Sequence, residues 1–294
     1  MIKKIFHTVV LLASSSAILF AQLPVANIYH FKMTKASNQL HLSTPQFLTQ
    51  FNKDGYNNQP SFFEDKVVYF TTDYYDKEQT EIAKFDFYEE SLTRITYTPE
   101  SEYSPTKLPS SDGFSVVRVE EDKETQTLSV YPLDGIGYPK RYMNNTSNVG
   151  YHAWLNGNYV ALFLVEEPNH NLAIADAVSE RRRIVIDKVG RCLKKNSNDE
   201  IVFVHKQHDD QWFIKSYNQN TKKSTQVIET LEGSEDFEIL VDGTFLMGQK
   251  STLYKYKPGK DADWVEVSDL EQYGIMNIQR ICARKNALIV VNAN

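Results

Sequence analysis

An all-β, six-bladed propeller with four antiparallel strands in each blade is the fold this sequence predicts, and three observations carry the prediction. Residues 58–98 contain four short runs rich in β-branched and aromatic residues, separated by polar turns, which reads as a four-stranded meander. The pattern then recurs. Residues marking the start of each first strand, Pro60, Pro105, His152, Arg191, Asp236 and Arg280, are spaced 45, 47, 39, 45 and 44 apart, the length of a propeller blade. Finally, each end of the chain supplies only two strands, at 28–33 and 39–42 and at 278–283 and 287–292. Either pair alone leaves an open edge and an unburied face. Paired, they complete a sixth blade, inner strands from the C-terminus and outer ones from the N-terminus.

The units follow in order. The first runs through 58–63, 67–72, 81–87 and 91–97, and the second from 103–105 through 114–120 and 127–134 to near Met143. The third comprises 149–154, 159–166, 172–178 and 183–187; the fourth, 189–192, 201–205, 212–217 and 224–229; the fifth, 235–237, 244–248, 253–257 and 264–267. Asp112-Gly113, Asp134-Gly135, Asn156-Gly157 and Asp242-Gly243 fall between strands, where tight reversal calls for a left-handed residue. Asp54-Gly55 precedes the first full unit. No stretch sustains helical periodicity, and residues 270–273 suffice for one turn.

The chain has 294 residues, 41% hydrophobic and 12% aromatic, enough to bury a substantial core. Lys3 and Lys4, an apolar run over 5–20 and then Ala21 predict a signal peptide over 1–21, cut before Gln22, with one six-bladed domain over 22–294. Cleavage removes two lysines and no acid, taking the net charge from −6 to −8. Such a surface disfavours nucleic acid and anionic membrane. Cys192 and Cys282 start inner strands of different repeats. One bridge is open to them, and two buried thiols are the expectation.

Asn58-Gln59-Pro60-Ser61-Phe62, followed by residues 67–72, Thr93-Arg94-Ile95-Thr96 and Glu102-Tyr103-Ser104-Pro105, resembles the TolB-like β-propeller repeat. In that family a Gln-Pro-Ser-Phe-Ser-Pro-Asp-Gly segment precedes a strand and Leu-Thr closes the blade. Here Glu64-Asp65-Lys66 replaces Pro-Asp-Gly, while Pro109-Ser110-Ser111-Asp112-Gly113 stays close to it. The resemblance covers two blades. It implies a secreted or periplasmic propeller that binds other molecules, often envelope proteins, without doing chemistry.

First strands line the channel of a propeller, so their starting residues converge. The ring would hold Gln59, Ser104, His152, Arg191, Asp236 and Arg280, with Glu102, Tyr151 and Glu235 beside them. The ligand-binding set at the channel mouth is therefore Glu102, Tyr151, His152, Arg191, Glu235, Asp236 and Arg280. Arg191 and Arg280 would anchor an anionic group, in a mouth that could grip a carboxylate, a peptide end or a sugar. The competing reading is that these charges only satisfy one another around a wet channel. The expected partner is a cell-envelope protein or a small anionic or glycan ligand. A non-enzymatic monomer without cofactor, metal or membrane insertion is expected.

The rival is a metal-dependent hydrolase of lactones or sugars, with Glu102, Asp236, Asn148 and Asn277 as oxygen ligands. His205 and His208, followed by Asp209 and Asp210, are read as a solvated hairpin tip rather than a zinc site. Arg181, Arg182 and Arg183 read as charges blocking an outer edge, and residues 120–124 as an exposed hairpin. There is no Gly-x-Ser-x-Gly elbow and no phosphate-cradling Gly-rich loop.

Overall fold

A computed structural model describes residues 23–36, 39–109, 112–134, 137–176 and 178–293. The leader expected over 1–21 lies outside the described residues. The chain starts with β1 (Ala26–Ala36), β2 (Gln39–Leu42) and β3 (Gln46–Phe47). Blade 1 is β4 (Asn57–Glu64), β5 (Val67–Asp76), β6 (Gln79–Asp86) and β7 (Ser91–Arg94). Blade 2 is β8 (Ser101–Lys107), β9 (Gly113–Val119), β10 (Gln126–Pro132) and β11 (Lys140–Arg141). Blade 3 comprises β12 (Val149–Trp154), β13 (Tyr159–Leu164), β14 (Asn171–Asp176) and β15 (Arg181–Asp187). Blade 4 comprises β16 (Val189–Lys195), β17 (Ile201–His208), β18 (Gln211–Asn218) and β19 (Lys223–Glu229). Blade 5 holds β20 (Phe237–Ile239), β21 (Phe245–Gln249), β22 (Thr252–Tyr256) and β23 (Val265–Asp269). The chain finishes with β24 (Ile278–Arg284) and β25 (Ala287–Ala293).

Each of blades 1–5 is an antiparallel sheet in sequence order, and the sixth runs β24, β25, β1, β2. The ring closes where the sequence predicts. Ala26 faces Ala293, Ile28 faces Val291 and Lys32 faces Ala287 in an unbroken antiparallel register. The short β3, which the sequence pattern does not reveal, pairs with β1 at Tyr29 and His30. The 3₁₀ turn Glu271–Tyr273 realises the single turn expected there and stops on Gly274 in the left-handed conformation, φ 76°.

The core is built between blades. Ile28, Ile289 and Val291 of the closing blade bury against Val68, Phe70 and Ala83 of blade 1. Phe63 stacks on Tyr69 at 3.8 Å, and both meet Phe114 of blade 2 edge-on. At about 25 cal/mol per Å² of apolar area, such rings dominate the attraction between neighbouring blades.

Turn chemistry departs from expectation. Of the described Asx-Gly glycines between strands, only Gly243 has positive φ, at 79°. The turn from third to fourth strand instead uses an Asx side chain. Asp86, Asp176 and Asn218 each accept two backbone N–H groups from residues two and three ahead. The left-handed residue comes fourth, as Glu90, Glu180 and Lys222. The Asx carboxyl or amide satisfies the turn's donors and leaves one residue to absorb the reversal.

Inner strands share a second device. The ladder to the next strand skips residues between Asn58 and Ser61, Tyr103 and Thr106, Val149 and Tyr151, Val189 and Leu193, and Ile278 and Arg280. A bulge re-aims the residues it leaves out of the ladder. Gln59 and Ser104 sit there with φ 52° and 56°. Pro60 and Pro105 follow them, tolerated because a bulged residue has no ladder bond to donate.

Candidate functional site

The bulges aim polar side chains into the central channel, and five groups link into one chain of charges. Arg280 lies 3.4 Å from Asp236 Oδ2, and Arg191 Nε lies 3.1 Å from the same atom. Arg191 Nη1 reaches Glu235 at 3.2 Å, and Lys206 Nζ reaches Glu235 at 2.9 Å. Arg280 Nη2 also donates to the Tyr151 hydroxyl at 2.8 Å. Burial alone would raise Glu235, but Arg191 and Lys206 outweigh it and hold the carboxyl below its usual range. Tyr151, Arg191, Glu235, Asp236 and Arg280 are thus brought together as the sequence suggests. The mutual pairing that competed with ligand binding is present as well.

Inside the ring lies a cavity of about 380 Å³ walled by residues from the inner strands of blades 1–4 and 6 and by Asp236, just ahead of β20. Lys107, Arg191, Lys194, Lys195 and Arg280 line it, and Asp236 is the sole acid among its described lining residues. The counter-charges stand behind the wall. Glu238 holds Lys194 at 2.8 Å, Asp199 holds Lys195 at 2.8 Å, and Glu64 lies 3.8 Å from Lys107. The lining thus holds five basic side chains to one acid, and the other counter-charges are not among the lining residues. A second cavity of about 690 Å³ shares Arg191 and Asp236 but adds Glu232, Glu235 and a single lysine, Lys250. The mouth formed by the starts of the inner strands of blades 5 and 6 is therefore acid-lined, and the lysines lie toward the other ends of the inner strands, where β8 ends at Lys107 and β16 at Lys195.

One expected member is elsewhere, and another is in place but carries no charge. Glu102 is 0% exposed and bonded to Tyr131 and Thr98 in the seam between blades 1 and 2. The bulge explains this: two residues apart, Glu102 and Ser104 would share a face of a regular strand, but Glu102 pairs in register with Arg118 ahead of the shift between Tyr103 and Thr106, and Ser104 lies within it. His152 touches the channel cavity, but its Nε2 lies 2.7 Å from Ser115 Oγ, which also accepts the Trp154 indole at 2.9 Å. Burial lowers His152 to about 3, so it stays neutral and supplies no charge.

The oxygen donors of the hydrolase reading do not meet. Glu102 is in the seam, Asp236 is held by two arginines, and Asn277 donates to Ala293 O. Among the described residues, no group of three or more His, Cys, Asp or Glu side chains stands close enough to hold a metal ion. His205 is buried rather than in a solvated tip, with Lys215 Nζ 2.9 Å from its Nδ1. Cys192 and Cys282 are both buried and unbridged, and burial pushes the Cys192 thiol up to about 12. Lys107, Lys194, Lys195 and Lys206 were not singled out by the sequence reading. The signal for the first three was their place near the C-terminal ends of β8 and β16, which run the length of the channel.

No family model matches the chain, and no curated protein matches it. Solved structures do. A candidate TolB from Agrobacterium tumefaciens superposes with a TM-score of 0.68 at 9% identity, covering 92% of this chain and 99% of the other. A chain of a nidogen/laminin complex gives 0.65 at 11% identity, covering 91% and 98%. A candidate gluconolactonase gives 0.59 at 9% identity, covering 82% and 89%. At these identities the likeness is one of fold, and the propeller is shared by proteins of different activity.

Proposed function

We propose that this chain is a secreted or periplasmic TolB-like binding module, without catalytic chemistry of its own, that captures an anionic group of a ligand or partner protein in its channel. The observation that carries the reading is the inward-facing cation wall, five basic side chains against Asp236 around a cavity of about 380 Å³. A site of that size suits a small carboxylate or phosphate, or the charged end of a larger molecule. The TolB and nidogen/laminin likenesses add that propellers of this shape occur among envelope proteins and in a protein–protein complex. Arg191 and Arg280 are mostly engaged with Asp236, so they shape the site. Lys107 and Lys195, about 40% exposed and more loosely held, are the groups free to turn toward an anion.

Calorimetric titration with citrate tests this reading. The wild-type protein is expected to bind it with one-to-one stoichiometry, more weakly as salt rises. Lys107→Ala combined with Lys195→Ala should weaken binding at least about tenfold, roughly 1.4 kcal/mol, with the fold intact because neither side chain is buried. Absence of binding heat, or equal affinity in the variant, overturns the assignment.

A further inference from the structure

The seam between blades 1 and 2 holds two carboxyls that the channel does not use. Glu81 on β6 and Glu102 on β8 are both 0% exposed. Glu81 Oε1 accepts Arg94 Nη2 at 2.6 Å and Gln79 Nε2 at 3.1 Å. Glu102 Oε1 accepts the Tyr131 hydroxyl at 2.8 Å and the Thr98 hydroxyl. Each carboxyl keeps a buried Oε2 with no donor, and the two carboxyls lie within hydrogen-bonding reach of each other.

The charges around them do not balance. Arg94 from β7 serves Glu81, while Arg118 from β9 is taken by Glu100 and by Glu120 at 3.2 Å. Tyr131 from β10 and Thr98 are neutral. If both glutamates were ionised, one negative charge would stand in the seam without a counter-ion, beside a like charge, at a prohibitive desolvation cost. A single hydrogen between the two carboxyls removes that charge and supplies the missing donor.

We propose that Glu102 is protonated at neutral pH and donates its hydrogen to Glu81, so that one proton latches blade 1 to blade 2. It resides on Glu102 because that carboxyl meets only hydroxyls, whereas Glu81 keeps its arginine. Burial first, then the charge of Glu81, raise Glu102 to about 8 against the opposing Thr98 hydrogen bond, in accord with this placement. The latch bears on the channel. Two residues beyond Glu102, Ser104 N donates to Gln59 Oε1 at 3.2 Å across the same two blades on the channel wall. Loss of the proton sets two carboxylates against each other and loosens that part of the wall.

The test is Glu102→Gln, whose amide donates to Glu81 but does not titrate. In the wild-type protein the folding equilibrium constant should fall about tenfold per pH unit between roughly 6.5 and 8, and in the variant that slope should vanish. Infrared spectra of ¹³C-glutamate-labelled wild-type protein at pH 7 should show the carbonyl stretch of a buried carboxylic acid. Glu81→Gln provides a second route, since its amide lets Glu102 ionise and the band should disappear. The proposal is overturned by absence of the band in wild type, by an unchanged slope in Glu102→Gln, or by a stoichiometric divalent metal at the seam in purified protein.

Discussion

Arg280 shows how far a single residue can be read from the chain alone. Its spacing from Arg191 and Asp236 placed all three on one ring, and they meet there. What spacing does not give is their state of pairing. Arg280 bridges blade 3 through Tyr151 and blade 5 through Asp236, with its side chain only 11% exposed. Arg280→Ala therefore removes a structural tie and leaves Asp236 with Arg191 alone, and should cost about 3 kcal/mol in urea unfolding; a loss below about 1 kcal/mol would show that Arg191 suffices for Asp236. Glu102 was misplaced for a related reason, whereas His152 lines the channel as expected but is neutral. Strand alternation decides which side chains face the channel, and a bulge shifts that alternation at positions that propensity does not mark. Cys192 was legible, since an apolar inner-strand position implies burial. Its raised thiol pKa predicts no labelling by thiol reagents at pH 8 in the native protein and full labelling after unfolding.

At the scale of the element, strands were legible and turns were not. Runs such as 67–72 and 201–205 carry β-branched and aromatic residues that suit a pleat buried on both faces, and β5 and β17 form there. The Asx-Gly pairs drew attention because glycine adopts positive φ without strain, yet Asp86, Asp176 and Asn218 direct the outer turns through their side chains. Glycine matters more for space at Gly248. A Cβ there would stand 2.2 Å from Ile278 Cγ2, where β21 packs against β24. Gly248→Ala should thus force blade 5 away from the closing blade and destabilise by about 1–3 kcal/mol, measured by thermal unfolding; unchanged stability would mean that Ile278 repacks freely.

At the scale of the whole molecule, closure by the two ends was legible because neither pair of strands is viable alone. Phe31, 0% exposed and opposite Leu288, sits at that joint. Phe31→Ala should cost about 3–5 kcal/mol and broaden the urea transition, as an opened ring loses cooperativity.

Stability should also peak near pH 6.5. Burial lowers His30 to about 4 and His152 to about 3, so below 6.5 the unfolded chain binds protons that the fold refuses, and stability falls toward acid. Glu102, raised to about 8, acts in the opposite sense, losing stability as pH rises from its ordinary 4.5 through 8. Below 6.5 these histidines, with His205 lowered in the same sense, outweigh it, and above 6.5 the histidines no longer oppose it. A pH series of denaturation midpoints checks this, and a maximum above pH 8 would contradict it.

The functional claim rests on the channel, where the basic wall was only half visible from sequence because Lys107, Lys194 and Lys195 lie far along their strands from the residues that mark the repeat. Amide hydrogen exchange with and without saturating citrate tests it most directly. Exchange should slow along Tyr151, His152, Arg191 and Leu193 of the inner strands and stay unchanged in β15 and β19 on the rim. Slowing confined to the outer strands, or no change anywhere, would contradict an anion held in the channel.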